Sequence, residues 1–168
     1  MAYLRLVRPM PRVLTFLGIL LLTSAALASA RELVSDSDAD EFAQLALNGM
    51  WGKALDEHDQ PLQPKGDNDR HTIPIPLTDV RRVARAGAPA GIASWAELDW
   101  QSYYDAFMKQ ERRSGRWSGK QIAFIGVLFG VAQGSFEKSC QKMARDQKSR
   151  EWAADVLADA KRKFLRKV

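Results

Sequence analysis

The run Ile122–Ala132, IAFIGVLFGVA, contains no polar side chain, and it constrains the fold more than any other segment. A helix of this composition offers no face to water, so other elements must cover it on nearly all sides. Its eleven residues are too few to cross a bilayer, which takes about 20. Ser118 and Gln121 form a capping-box pattern before the run and predict a helix that continues to about Asp146. We therefore expect a core helix surrounded by the rest of the chain.

Three glycines recur every four residues in this helix, at Gly126, Gly130 and Gly134. Glycine inside a helix costs about 0.8–1.0 kcal/mol relative to alanine, so three of them need a packing reason. The close approach of a neighbouring helix would provide one, as small residues at this spacing do in membranes. We predict a helix-packing groove here. A self-association seam that forms a homodimer and a ligand groove are the alternatives.

Helical periodicity continues through most of the chain beyond residue 30. A first helix is expected from about Ser35 to Glu57, with an inward face of Phe42, Leu45, Ala46 and Met50. Prolines and a glycine exclude a continuous helix in the connection 58–77. Thr78 is expected to cap a short helix that ends at Ala86, before Gly87 and Pro89.

Two further helices complete the expected bundle. Ser94 and Glu97 fit a capping box that opens a helix to about Arg113, with one face formed by Ala96, Trp100, Tyr103, Tyr104 and Phe107. Ser149 is expected to cap the last helix, whose inward residues are Trp152, Val156, Ala160 and Phe164. The sequence thus predicts an all-α fold, a compact bundle of about five helices with a Pro-rich connection (58–77).

The first thirty residues have the pattern of a signal peptide. Arg5, Arg8 and Arg12 precede an apolar run from Val13 to Leu27, and Ala28-Ser29-Ala30 supplies small residues at a cleavage site. A retained membrane anchor is the alternative, but the apolar run is short for a span. We expect cleavage after Ala30, a signal peptide at 1–30, a single helical domain at 31–168 and a periplasmic or secreted location without a stable membrane span.

Charge and cysteine content limit the classes of function that the chain can have. Removing residues 1–30 leaves 22 basic and 20 acidic side chains, a net charge of +2 that gives no support to nucleic-acid binding. Residues 31–80 carry a net −7 and residues 138–168 a net +6. We expect these segments either to attract each other or each to solvate one face of the fold, with a charged partner or surface as the alternative. Cys140 is the only cysteine, so no internal disulfide forms, and its position favours a buried thiol.

The sequence contains no cofactor signature and no metal-ligand spacing. His58 and His71 lie among carboxylates in the Pro-rich connection, but they match neither an EF-hand loop nor a zinc helix, so we expect no metal site. The strongest enzymatic alternative is a small cell-envelope glycan hydrolase that uses Glu97 and Asp99, because paired carboxylates beside aromatic side chains suit glycoside cleavage.

A basic turn is the preferred candidate site. Arg112, Arg113, Arg116 and Trp117 lie between two predicted helices, where an acidic partner surface would find cations and free N–H groups. Charge complementarity to the helix ends is the simpler explanation of the same residues. By elimination, we expect a binding protein rather than an enzyme. Its ligand is expected to be another protein, as for inhibitors, immunity proteins and envelope stress or assembly factors.

Overall fold

The computed structural model describes residues 33–56 and 58–165, which form six helices and no strand. The helices are α1 (Asp36–Met50), α2 (Asp67–His71), α3 (Leu77–Trp95), α4 (Gln101–Arg113), α5 (Gly119–Cys140) and α6 (Gln147–Phe164). The all-α prediction is confirmed, with the short α2 as an addition inside the Pro-rich connection. The predicted signal peptide lies outside the described residues. None of these helices carries an apolar stretch long enough to cross a bilayer.

Helix α3 is the centre of the bundle and packs against α1, α4, α5 and α6. Every residue from Ala86 to Ala93 is buried. The predicted end at Ala86 is therefore wrong, because α3 continues through Gly87 and Pro89 to Trp95. Tertiary packing here overrides two residues that normally stop a helix. Helix α5, which we expected at the centre, instead packs along one side of α3.

Two glycines of α3 allow a close contact with α5. A Cβ atom on Gly87 would lie 2.6 Å from the carbonyl oxygen of Phe129, and one on Gly91 would lie 2.1 Å from the carbonyl oxygen of Gln133. Both partners are backbone atoms of α5. The α3 and α5 backbones can approach this closely only because these two positions have no side chain.

The glycines of α5 have a different environment, so the predicted helix-packing groove is wrong. A Cβ atom on Gly130 or Gly134 would have no heavy atom within 4 Å, and both residues are exposed. Gly126 faces side chains rather than a helix backbone, and a Cβ atom added there would lie 3.3 Å from the Tyr104 hydroxyl oxygen. Self-association along this open face stays a prediction.

Helix α1 begins as predicted and ends earlier. Ser35 caps it in a capping box with Asp38, whose backbone N–H lies 3.0 Å from the Ser35 hydroxyl. The helix stops at Met50 rather than Glu57, because the next residues turn back in a hairpin-like loop in which Gly52 has a φ of +71°. Leu45, expected inside, is 50% exposed, and Leu47 is buried instead.

The acidic start of α1 is held by α3. Arg81 and Arg85 both form ion pairs with Asp36, and the Arg81–Asp36 distance is 2.8 Å. The basic segment pairs elsewhere, since Arg145 and Arg150 both contact Glu97. No ion pair joins the acidic and basic segments within the described residues, so the expected attraction between them is not what holds these helices.

Helix α4 begins later than predicted, because the supposed capping box at Ser94 and Glu97 is the end of α3. The N–H groups of Glu97 and Leu98 donate to the carbonyls of Ser94 and Ala93, the pattern of a Schellman C-terminus. Glu97 occupies its left-handed position, with a φ of +60°. The expected inward face of α4 is largely right: Tyr103 and Phe107 are buried against Phe129 of α5.

The buried face of helix α6 is shifted by about one residue from the predicted face. Asp146, not Ser149, is its N-cap, and its side chain accepts the Ser149 N–H at 2.8 Å. The buried residues are Ala153, Leu157 and Ala160, whereas Trp152 is 38% exposed.

Candidate functional site

The basic turn between α4 and α5 separates two cavities. Arg112, Arg113 and Arg116 are exposed and Trp117 is half-buried. Arg112 and Trp117 line a cavity of about 570 Å³ between α4 and α5. Arg113 and Arg116 line a larger one, of about 860 Å³, between α3, α4 and the end of α6. The four residues predicted as one site therefore serve two different surfaces.

A buried ion network forms the floor of the larger cavity. Asp79 and Glu111 are 7% and 4% exposed, and they come from α3 and α4. Arg82 joins them: its two terminal nitrogens lie 2.8 and 2.9 Å from the Glu111 carboxylate, and its Nε lies 3.3 Å from Asp79. Such a two-pronged arginine–carboxylate pair fixes orientation as well as charge.

Two residues of the basic turn are anchored by the same network. Arg116 reaches Asp79 at 3.2 Å, and its guanidinium lies 4.5 Å from the centre of the Trp117 ring. The Trp117 indole N–H donates to Glu111 at 2.9 Å. Each buried carboxylate therefore has partners on two sides, and movement of the turn would break its hydrogen bonds to Asp79 and Glu111. This network holds the turn in one conformation.

The network also fixes the charge of Arg82. Burial alone would lower the pKa of this guanidinium, but hydrogen bonds and charges from Glu111 and Asp79 outweigh the burial and raise it. Arg82 therefore stays protonated at physiological pH and remains paired with both carboxylates beneath the cavity. The arrangement is suited to holding charge in place rather than to exchanging protons.

The larger cavity is strongly basic, and we name it the basic cleft. It is lined by five cationic side chains and two anionic ones, namely Arg82, Lys109, Arg113, Arg116 and Lys163 against Asp79 and Glu111. Arg82 and Arg116 are the ones paired with the two acids. Lys109 and Arg113, four residues apart on α4, form no ion pair within the described residues. The cleft therefore presents positive charge that the described fold does not neutralise.

The helix ends explain only part of this clustering. Arg113 and Lys163 lie in the last turns of α4 and α6, where cations interact favourably with the helix dipole. Lys109 lies one turn further inside α4 and gains little from that effect. The Gln110 side chain donates to the Phe164 carbonyl at 3.2 Å and so holds the two helix ends together beside the cleft.

The carboxylates of the hydrolase alternative are both engaged elsewhere. Glu97 is held by Arg145 at 3.0 Å and Arg150 at 3.3 Å. Asp99 accepts hydrogen bonds from the Ser102 hydroxyl and backbone N–H, which lower the pKa of its carboxyl. A general acid needs a raised pKa. Neither residue lines the basic cleft or the smaller cavity.

The remaining candidates of the sequence do not form a site. Cys140 is 6% exposed, as predicted, and burial raises the pKa of its thiol. His58 and His71 are exposed. Across residues 33–56 and 58–165, no three His, Cys, Asp or Glu side chains gather in a way that would hold a metal ion.

Comparison with known proteins gives no relative: no protein family, curated protein or solved structure matches the chain. The function must therefore be inferred from the two cavities themselves.

Sequence reasoning missed the residues that complete the basic cleft. Lys109 was detectable, since its spacing of four from Arg113 places both on one face of a helix. The Arg82–Glu111 pair joins residues 29 positions apart, and no local pattern predicts such a contact.

Proposed function

We propose that this protein is exported and acts by binding an acidic segment of another protein in the basic cleft. The observation that carries the proposal is the presence of Lys109 and Arg113, without ion-pair partners in the described structure, above a floor of paired charges. Carboxylates of a partner would complete the charge balance of this surface.

The geometry favours a segment over a whole surface. A volume of about 860 Å³ accommodates a few side chains of an inserted loop or chain end. The Arg82–Glu111 and Arg116–Asp79 pairs fix the floor of the cleft before a partner arrives, so the loss of side-chain freedom on binding is confined mainly to Lys109 and Arg113. Preorganised charge of this kind raises association rates and makes them depend on salt.

Charge reversal in the cleft tests the proposal. The variant Lys109→Glu/Arg113→Glu changes two side chains that hold no ion pair among the described residues. Its free energy of unfolding should fall by only about 1 kcal/mol, because Arg113 lies at the C-terminal end of α4. Arg116 is left intact because its reversal would place a negative charge against buried Asp79. The matched control is Lys138→Glu/Lys142→Glu, which has the same spacing and charge change at two exposed residues, one in the last turn of α5 and one just beyond it.

Tagged wild-type and variant proteins should be used to capture partners from cell-envelope extract at low and moderate salt. We expect at least one protein to be recovered by the wild type and the control, and at least tenfold less by the cleft variant, with recovery falling as salt rises. Equal recovery by all three proteins would rule out the basic cleft as the binding surface.

Export is tested separately. We expect N-terminal sequencing of the exported protein to begin at Arg31, which follows the Ala-Ser-Ala motif. Recovery of intact Met1 in washed membranes would contradict cleavage. The glycan-hydrolase alternative gains no support from Glu97 or Asp99, whose side chains already take part in an ion pair and a helix cap.

A further inference from the structure

The smaller cavity lies on the opposite side of the basic turn. We name it the apolar cavity after the apolar side chains of its α5 wall, although polar groups line it just as extensively. Its volume is about 570 Å³. Helix α4 contributes Tyr104, Met108 and Arg112, which follow one another at intervals of four and so share one face. Helix α5 contributes a face that includes Ile122 and Val127, and the third wall is the loop at residues 54–56.

Small residues on α5 leave this space open. Gly119, Ala123 and Gly126 line it at intervals of four and three residues, so they share one face of α5. A Cβ atom on Gly126 would meet only the ends of side chains, the Tyr104 hydroxyl at 3.3 Å and the Met108 Cε at 3.5 Å. No backbone contact requires glycine here, in contrast to Gly91, where a backbone carbonyl would lie 2.1 Å away.

Two polar groups on α4 have capacity for a ligand. The Tyr104 hydroxyl makes no hydrogen bond and Arg112 makes no ion pair within residues 33–56 and 58–165. Burial raises the pKa of Tyr104, and the positive charge of Arg112 opposes that rise. The Tyr104 phenol therefore remains a neutral hydrogen-bond donor beside the Arg112 guanidinium.

The opposite wall has the reverse charge. Asp56 accepts the backbone N–H groups of His58 and Gln60 at 2.8 and 2.9 Å, which holds its carboxylate in place and lowers its pKa. An anionic group in the cavity would be repelled from this wall and attracted to the α4 side. The cavity thus has one apolar floor, one cationic edge and one anionic edge.

We propose that the apolar cavity binds a small amphipathic carboxylic acid, with its carboxylate against Arg112 and the Tyr104 hydroxyl and its apolar body over Ile122, Val127 and Met108. Charge complementarity selects the orientation. The volume lies within the range of about 300–1,000 Å³ that is usual for small-molecule sites. This site is independent of the protein-binding proposal, because the ion network and the basic turn separate the two cavities.

The experiment measures binding of decanoate to the exported protein by isothermal titration calorimetry, with decanol as the uncharged analogue. We expect decanoate to bind at least tenfold more tightly than decanol. Arg112→Gln should remove that difference, whereas the neighbouring Arg113→Gln, which faces the basic cleft, should preserve it. Equal effects of the two arginine variants would overturn the assignment of the carboxylate to Arg112.

Variants that fill the cavity provide a second test of the proposal. Gly126→Val should weaken decanoate binding at least tenfold, and Gly130→Val, one turn along the same helix but open to solvent, should leave it unchanged. Ala123→Leu fills the same space from the adjacent turn and serves if Gly126→Val does not fold. Absence of decanoate binding to the wild type, or binding that neither filling variant changes, would refute the proposal. The Lys109→Glu/Arg113→Glu variant should still bind decanoate, so failure of one proposal is distinguishable from failure of the other.

Discussion

From the close contact between α3 and α5, we predict that two glycine-to-alanine substitutions have opposite effects on the stability of the protein. In Gly91→Ala, the new methyl carbon would lie 2.1 Å from the Gln133 carbonyl oxygen and 2.9 Å from the Glu137 backbone nitrogen. Non-bonded heavy atoms pack best at about 3.5–4.0 Å, so restoring a normal contact requires the two helices to separate by about 1.4 Å or more. Because both obstacles are backbone atoms, no side-chain rotation can relieve them.

That separation has a calculable cost. A gap of about 0.5–1 Å already forfeits a quarter to a half of each contact along the seam, and overpacking a core typically costs about 1–3 kcal/mol. We expect Gly91→Ala to lie at the upper end of that range. Gly130→Ala adds a methyl group in open space on α5, where replacing glycine in a helix should stabilise the protein by about 0.8–1.0 kcal/mol.

Urea unfolding monitored by circular dichroism and tryptophan fluorescence provides the test. For slopes of about 1–3 kcal/mol per molar urea, Gly91→Ala should lower the midpoint by about 1–3 M, and Gly130→Ala should raise it by about 0.3–1 M. An unchanged midpoint for Gly91→Ala would refute the close backbone contact. A lowered midpoint for Gly130→Ala would mean that the α5 glycine face is covered after all, as by a second copy of the chain.

Three further outcomes follow from the charges and the burial. Glu111→Gln should cost about 3 kcal/mol, since it removes one partner of a buried ion pair, while Glu97→Gln in an exposed pair should cost under about 1 kcal/mol; equal costs in urea unfolding would contradict the network. Hydrogen bonds from Ser102 and Ser149 lower the pKa values of Asp99 and Asp146 below the ordinary 3.8. Their capping contribution is therefore complete above pH 3.8 and lost as the pH falls through the folded-state values, and Asp→Asn changes at both positions should flatten this acid loss. Cys140 should react with a thiol reagent slowly in the native protein and rapidly in urea, because it is buried and its pKa is raised.

The features predicted correctly from the sequence are those that depend on neighbouring residues. Ser35 was placed at the start of α1 because the acidic residues that follow it favour a helix N-terminus. Ser118 was placed at the start of α5 because a capping box is complete within four residues. The same local pattern failed at Ser94. Ser94 instead belongs to the last turn of α3, and its hydroxyl donates a hydrogen bond to the Glu137 carboxylate of α5 at 3.0 Å.

The candidate site was predicted only in part, because its geometry depends on residues that are distant in the sequence. The exposure of Arg112, Arg113 and Arg116 follows from their position in a polar turn. Their division between two cavities depends on where α6 ends and on the Trp117–Glu111 hydrogen bond. Both are products of packing between distant segments, and no local pattern encodes them.

The composition of α3 also determines how the protein can fold. Gly87, Pro89 and Gly91 together disfavour this helix by about 5 kcal/mol relative to alanine, so the 19-residue segment cannot hold a helix in water by itself. We expect a peptide of residues 77–95 to be unstructured by circular dichroism, and less helical than a peptide of residues 147–164, which lacks glycine and proline. The central helix then depends on the helices that pack against it, and we expect these long-range contacts to slow folding.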